Sequence, residues 1–227
     1  MHTYNLSGSQ VAVVSIEKDL GVHGSSSLSW NDHIDLVISK VNKLFGIIYR
    51  TCTIDCDQKT MLVLYKSLVR PQLEYASQVW SPYTKEKIKV IERVQRRAPK
   101  FILKYDLTYP ERLAKLDLLR LQFGREVLDL CFFFKCLNCK GHIDFDVLSY
   151  VSFKSYKYDM RNSEAILAKG RFRTDVFKFS FFNPIVNLWN GLPVAIRTID
   201  RVSLFRKQVI MSQFYISQIN LSKDKFI

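Results

Sequence analysis

Between Lys85 and Lys104 the chain carries eight basic side chains and only two acids, Glu86 and Glu92. At the helical step of about 100 degrees per residue, Lys85, Lys89, Arg93, Arg96, Arg97, Lys100 and Lys104 fall within one arc about 120 degrees wide. Ile88, Ile91, Val94, Ala98, Phe101, Ile102 and Tyr105 fall on the opposite side. One face is suited to a core and the other is a cationic stripe. The chemistry of such a stripe is phosphate neutralisation with release of counterions. Most charged helix faces are simply solvated. Here, however, like charges four residues apart repel by about 0.2–0.5 kcal/mol per pair, and few acids offset them. A polyanion would supply the counter-charge. The candidate nucleic-acid contacts are Lys85, Lys89, Arg93, Arg96, Arg97 and Lys100, and the chemistry is binding rather than bond-making.

Other residues of reactive type are less well arranged. Cys136-x-x-Cys139-x-x-His142, with Cys131 upstream, has a zinc-like spacing. A structural zinc needs four ligands in a tetrahedron. No second Cys or His pair supports the run, and Cys131 lies in an apolar helical pattern, so these read as reduced thiols in or near a core. Cys52 and Cys56 straddle a helix start and lack a partner pair. Asp144-Phe-Asp146 and Asp55-x-Asp57 hold paired carboxylates but lack the further fixed ligands that two-metal phosphoryl chemistry requires. Asp55 reads as a helix cap. His2, His23, His33 and His142 form no local cluster. No catalytic residue, metal site or cofactor is expected.

The composition agrees with a binding role. Across 227 residues, 34 Lys and Arg face 21 Asp and Glu, a formal charge of +13. With 48% hydrophobic residues the chain can build a core, so a disordered tail is excluded. No run approaches the ~18 apolar residues of a membrane span. The first residues, Met1-His2-Thr3-Tyr4, have no signal-peptide character. An intracellular protein, nuclear or cytoplasmic, is expected, with no membrane partner.

Several elements must position the stripe. Tyr4–Leu6 and Val11–Val14 flank Gly8 and Ser9 as a hairpin, followed by Lys18-Asp19-Leu20-Gly21-Val22 and a polar loop, 23–27. Ser29 and Asp32 fit a capping box. Trp30, Ile34, Val37, Ile38, Val41, Leu44, Phe45 and Ile48 then trace one helical face. A second helix starts after Asp55, buries Met61, Leu62, Tyr65, Leu68 and Val69, and stops at Pro71. The third is the basic helix, with a kink or break at Pro99. Thr108 and Glu111 cap a fourth, carried by Leu113, Leu116, Leu119 and Leu121 towards Phe123. Val127, Leu130, Phe134 and Leu137 mark a fifth. A linker falls within 140–170, and Val176–Phe182 reads as a strand. Asn183 and Pro184 open a short helix that Gly191 ends. Asp200 starts a last one containing Val202, Phe205 and Val209.

Particular motifs make a resemblance specific. Leu64-Tyr65-Lys66-Ser67-Leu68-Val69-Arg70-Pro71-Gln72-Leu73-Glu74-Tyr75-Ala76-Ser77-Gln78-Val79-Trp80-Ser81-Pro82-Tyr83 resembles the thumb of reverse transcriptases from jockey-like non-LTR retrotransposons. Ile91-Glu92-Arg93-Val94-Gln95-Arg96-Arg97-Ala98 is similar to the motif that follows it there. Lys18-Asp19-Leu20-Gly21-Val22 and Leu28-Ser29-Trp30-x-x-His33-Ile34 resemble the strand leaving the palm and the first thumb helix. Ser180-Phe181-Phe182-Asn183-Pro184 and Leu188-Trp189-Asn190-Gly191-Leu192-Pro193 resemble the post-thumb signature.

The resemblance spans about Tyr4 to Val209. It implies descent from an RNA-directed DNA polymerase that copies element RNA at a nicked chromosomal target. In that family the metal-binding aspartates include a Tyr/Phe-Ala-Asp-Asp run, which this sequence lacks, so no catalytic residue carries over. Pro99 departs from the family at a position that usually favours helix. The expected fold is mainly α. Residues 1–27 would be a β-hairpin remnant of a palm, 28–107 a three-helix thumb-like bundle, and 108–227 a second, mostly helical post-thumb unit. The expected function is that of a non-catalytic fragment binding RNA or an RNA–DNA template–primer duplex. The rival is a protein-interaction module whose basic face meets an acidic partner or a membrane surface.

Overall fold

The computed structural model describes residues 4–52, 56–104, 106–138, 147–155 and 165–223, without the side chains of Leu6 and 213–223. Asp55, Tyr105, Cys139, His142, Asp144 and Asp146, about which expectations were stated, lie outside the described residues. The fold is mainly helical, with two small antiparallel hairpins at the N-terminal end. Among the described residues no helix is long and apolar enough to cross a membrane.

The first hairpin pairs β1 (Asn5–Leu6) with β2 (Ser9–Gln10) around Ser7 and Gly8, both left-handed at φ 50° and 84°. This is the two-residue turn whose twist suits antiparallel strands. Val11–Val14, expected to be its second strand, is not in a strand. The second hairpin pairs β3 (Ile16–Asp19) with β4 (Val22–Ser25), turning at Leu20-Gly21. His23–Ser25, expected in a polar loop, is therefore strand: the left-handed pair comes earlier than the polar run.

Helix α1 (Asn31–Thr51) buries Ile34, Val41, Phe45 and Ile48 and rests Trp30, Val37, Ile38 and Leu44 against the same core. The Ser29–Asp32 capping box does not form. Instead, Ser25 Oγ accepts from Ser29 N (3.0 Å) and donates to Ser29 O (2.8 Å), fixing the entry to the helix. The second helix is capped by Asp57, which accepts from Thr60 N at 2.9 Å. It runs as α2 (Gln58–Leu64), a wide π turn (Tyr65–Val69) and α3 (Arg70–Glu74).

That π turn corrects two expectations. It passes from Tyr65 O to the Arg70 N–H, so every fourth residue, Met61, Tyr65, Val69 and Leu73, faces the core. Leu68, at α-helical spacing from Tyr65, is thereby turned outward and is 45% exposed. The wide turn also relieves the crowding a proline ring imposes on the turn before it, so the helix continues through Pro71 rather than stopping there. It ends at Glu74, and Ala76, left-handed at φ 50°, precedes the single turn α4 (Ser77–Trp80).

Helix α5 (Lys85–Leu103) is unbroken at Pro99. Proline inside a helix costs about 3 kcal/mol. Ala98, Ile102 and Leu103, all fully buried around it, provide packing that offsets this. Helix α6 (Tyr109–Lys115) starts at the expected cap, where the Glu111 carboxylate accepts from Thr108 N (2.8 Å) and Thr108 Oγ1 (2.7 Å). It stops at Leu116, and Asp117 is left-handed at φ 48°. The leucine run thus belongs to two helices, and α7 (Leu121–Asn138) begins at Leu121.

Downstream, Asp175–Lys178 forms a short helix, α8, capped by Thr174, where a strand was expected. Helix α9 (Phe182–Asn190) begins one residue before Asn183 and ends at Gly191, whose N–H donates to Asn187 O. Then come α10 (Val194–Arg197) and α11 (Val202–Lys223). The run Trp189-Asn190 explains itself structurally. Trp189 Nε1 donates to Ala165 O at 2.7 Å, and its ring packs on Phe133 and Phe205. Asn190 brackets Leu167, accepting from its N–H and donating to its carbonyl, each at 2.9 Å.

Two hydrophobic clusters result, one from Ile34 to Leu121 and one from Val127 to Val209, and α7 contributes to both. A ring and guanidinium cluster joins α1, α4 and α7, with His33 edge-on to Trp80. The buried Trp80 ring lies 4.8 Å from the His33 ring and 4.4 Å from the Arg125 guanidinium. His33 is 2% exposed, and its Nδ1 accepts the His23 N–H at 3.2 Å. Burial, with the charges of His23 and Arg125, holds His33 at about 4, below its ordinary 6.5. The native state therefore binds fewer protons than the unfolded state in this window. Stability from His33 is intact above about 6.5 and is lost as pH falls towards about 4. His33→Asn keeps an acceptor for His23 N–H and cannot titrate. Urea unfolding at pH 7 and pH 4.5 should show wild type losing more stability than this variant; equal losses would contradict the account.

Candidate nucleic-acid interface

Helix α5 is aimed by both ends and one face. Thr84 Oγ1 accepts from Lys87 N at its start, and Lys104, left-handed at φ 54°, closes it through a bond to Lys100 O. Ile91, Val94, Ala98 and Ile102 are buried, which forces the opposite arc outward. Lys85, Lys89, Arg93, Arg96, Arg97 and Lys100 are all exposed, along with Lys104. Lys104 sits in the cap rather than the helical register.

The stripe is partly ordered from within. Arg97 donates to Asn42 Oδ1 at 2.8 Å and lies over the Phe45 ring, 5.4 Å from its centre. Arg96 lies 4.9 Å from the centre of the Tyr109 ring. These contacts hold two guanidinium groups without neutralising them. Among the described residues no acid pairs with Lys85, Lys89, Arg93 or Lys100. Lys87, by contrast, is tied to Asp35 at 2.9 Å and bridges α5 to α1.

Glu92 was counted in the sequence as one of two acids offsetting the stripe, yet it is turned inward. Its carboxylate accepts from Tyr109 Oη and, at 3.2 Å, from Leu121 N. Beside it, buried Gln95 accepts from Tyr65 Oη (3.1 Å) and donates to Tyr109 Oη (3.1 Å) and Leu119 O (3.0 Å). Burial pushes both phenols well above the ordinary tyrosine range, so they remain protonated donors. This network pins α5 to α6 and to the start of α7, and it removes one negative charge from the basic face.

Sequence reasoning also missed neighbours of the stripe. Lys43 and Arg50 share a shallow groove on α1 with Asn42, the partner of Arg97. Their seven-residue spacing places both on one helical face, a signal that was available. Of the thiols, Cys52 and Cys131 are buried and Cys56 and Cys136 partly so. Burial raises the Cys131 thiol above its ordinary range. Among the described residues no group of His, Cys, Asp or Glu is placed to hold a metal.

Compared with protein-family models, curated proteins and solved structures, the chain matches none.

Proposed function

We propose that the chain is the thumb and post-thumb region of a jockey-like non-LTR reverse transcriptase and that α5 holds the phosphate backbone of an RNA or RNA–DNA duplex. The observation that carries the binding role is the single exposed cationic face of α5, rigid on its core side and relieved of Glu92. The motifs quoted from the sequence support the family. The exposed apolar side chains of the N-terminal segment, Tyr4, Val13, Val14 and Leu20 among them, support it further. Two-stranded hairpins are marginal alone in water, and hairpins whose turns and connections expose apolar side chains in this way suit packing against a larger β-sheet such as a palm.

Contacts to phosphate carry no base information, so affinity should be nearly independent of sequence. In a fluorescence-anisotropy competition, two unrelated RNA–DNA duplexes should displace a labelled one equally, and polyglutamate of matched charge should displace it poorly. Polyglutamate competing as well as duplex would favour the acidic-partner reading instead. On this reading the chain itself extends no primer, because the carboxylates that hold two metals in such polymerases are not among its residues. Template-dependent nucleotide incorporation by the purified chain with magnesium or manganese would contradict that.

A further inference from the structure

A second run of cations lies far from α5 in the chain. Lys169, Arg171, Arg173 and Lys178 alternate with Phe172, Phe177 and Phe179, and Asp175 is the one acid among them. All four cations are exposed, and so are Val176 and Phe177, the latter at 46%. Packing does not account for these side chains, because α8 buries none of its residues. Neither does local charge balance. Asp175 meets Lys178 only at 3.9 Å and in the open, a pairing worth little. Among the described residues no acid pairs with Lys169, Arg171 or Arg173.

The segment 169–179 is held at both ends. Upstream, Lys154 N donates to Ile166 O (2.8 Å), Ala168 N donates to Ser152 O (2.7 Å), and Asn190 brackets Leu167. Downstream, Asn183 Nδ2 donates to Lys178 O and Ser180 Oγ to Phe177 O. Within it, the Phe172 and Phe177 rings meet with centres 5.7 Å apart. Groups held in this way lose less freedom on meeting a ligand.

Phe179 connects this surface to α5. Its ring lies 4.1 Å from that of Tyr83 and within 10° of parallel. Tyr83 is 54% exposed and stands two residues before Lys85, where the α5 stripe begins. Lys178 Nζ lies 4.9 Å from the centre of the Phe179 ring, so a cation stands beside the stack. Exposed cations interleaved with aromatic rings have the chemistry of a single-strand site: the cations meet phosphates and the rings stack on bases. A duplex hides its base faces, and an acidic peptide would use the cations and leave the rings idle.

We propose that residues 169–179, with Tyr83, bind single-stranded nucleic acid, and that this strand is the unpaired stretch leaving a duplex held on α5. The placement of the strand rests on the duplex-binding reading of α5; the affinity for single strands does not.

The test is fluorescence anisotropy on the whole chain with three probes: a blunt RNA–DNA duplex, the same duplex carrying eight unpaired adenylates at one end, and octaadenylate alone. The unpaired stretch should tighten binding by about tenfold over the blunt duplex, the effect of one or two bases stacking. Phe177→Ala should remove most of that gain, and so should Arg171→Gln combined with Arg173→Gln, while affinity for the blunt duplex stays at the wild-type value. Octaadenylate should depend on the same side chains. Circular dichroism checks that each variant is folded, and the exposed arginine pair carries the test if the Phe177 variant does not fold. Octaadenylate binding without blunt-duplex binding would remove the duplex reading of α5, and with it the strand's placement, while supporting the single-strand site. The inference is overturned if the unpaired stretch adds nothing to a duplex that binds, if octaadenylate gives no binding up to about millimolar concentration, if the folded Phe177 variant keeps the full gain, or if polyglutamate displaces labelled octaadenylate as well as the unlabelled oligonucleotide does.

Discussion

Trp189→Ala should cost about 3–5 kcal/mol of stability, the range for truncating a large buried aromatic. The ring is buried between Phe133 and Phe205, which ties α9 to α7 and α11. Its Nε1–H is also the partner of Ala165 O, so truncation orphans a carbonyl as well as opening a cavity. A loss of that size is a large fraction of the ~5–15 kcal/mol that holds an ordinary domain together. Trp189→Phe separates the two effects. It keeps most of the ring and loses the donor, so about 1–2 kcal/mol should go. Urea unfolding followed by circular dichroism measures both, and a loss below about 1 kcal/mol for the alanine variant would mean that Trp189 does not organise the second core.

Changing Arg93, Arg96 and Arg97 together to Gln should weaken duplex binding by about a hundredfold near 0.15 M salt, if each contributes one phosphate contact. Glutamine is nearly as good a helix former as arginine, and the buried face of α5 is untouched. The local costs are small and identifiable. Arg97 loses its bond to Asn42 and its place over Phe45, and Arg96 loses its place over Tyr109. A circular-dichroism spectrum and melting curve close to wild type should therefore accompany the loss of binding. Unchanged affinity in a folded triple variant would make α5 a solvated face and nothing more.

How much of this was legible in the sequence depended on whether a feature was local and periodic. The stripe of α5 was legible, because seven cations and a core face both repeat at the helical period. The Thr108–Glu111 cap was legible for a similar reason: its partners lie three residues apart and need no tertiary context. The π turn was not. Nothing at Tyr65–Val69 announces an extra residue per turn, and the register error it caused put Leu68 inside when Val69 and Leu73 hold that line. Asp57 caps α2, so the helix starts at Gln58, two residues later than expected, a shift typical of helix ends. Val176–Phe182 looked like strand because Val and Phe favour sheets, yet β-propensity needs a neighbouring strand to act on, and Thr174 caps a helix there instead. The inward turn of Glu92 was illegible because its partners, Tyr109 and Leu121, come from other elements. The stack that joins the 169–179 segment to the start of α5 was illegible for the same reason, since Tyr83 and Phe179 come from distant stretches of the chain.

The central claim is that α5 neutralises phosphates, and the most direct measurement of it is the salt dependence of RNA–DNA duplex binding by the unaltered chain. With Lys85, Lys89, Arg93, Arg96, Arg97 and Lys100 each meeting one phosphate, the logarithm of affinity should fall against the logarithm of salt with a slope of about −5, shrinking by about 2 to 3 in the triple variant. A slope shallower than about −1, or one identical in the variant, would contradict the account.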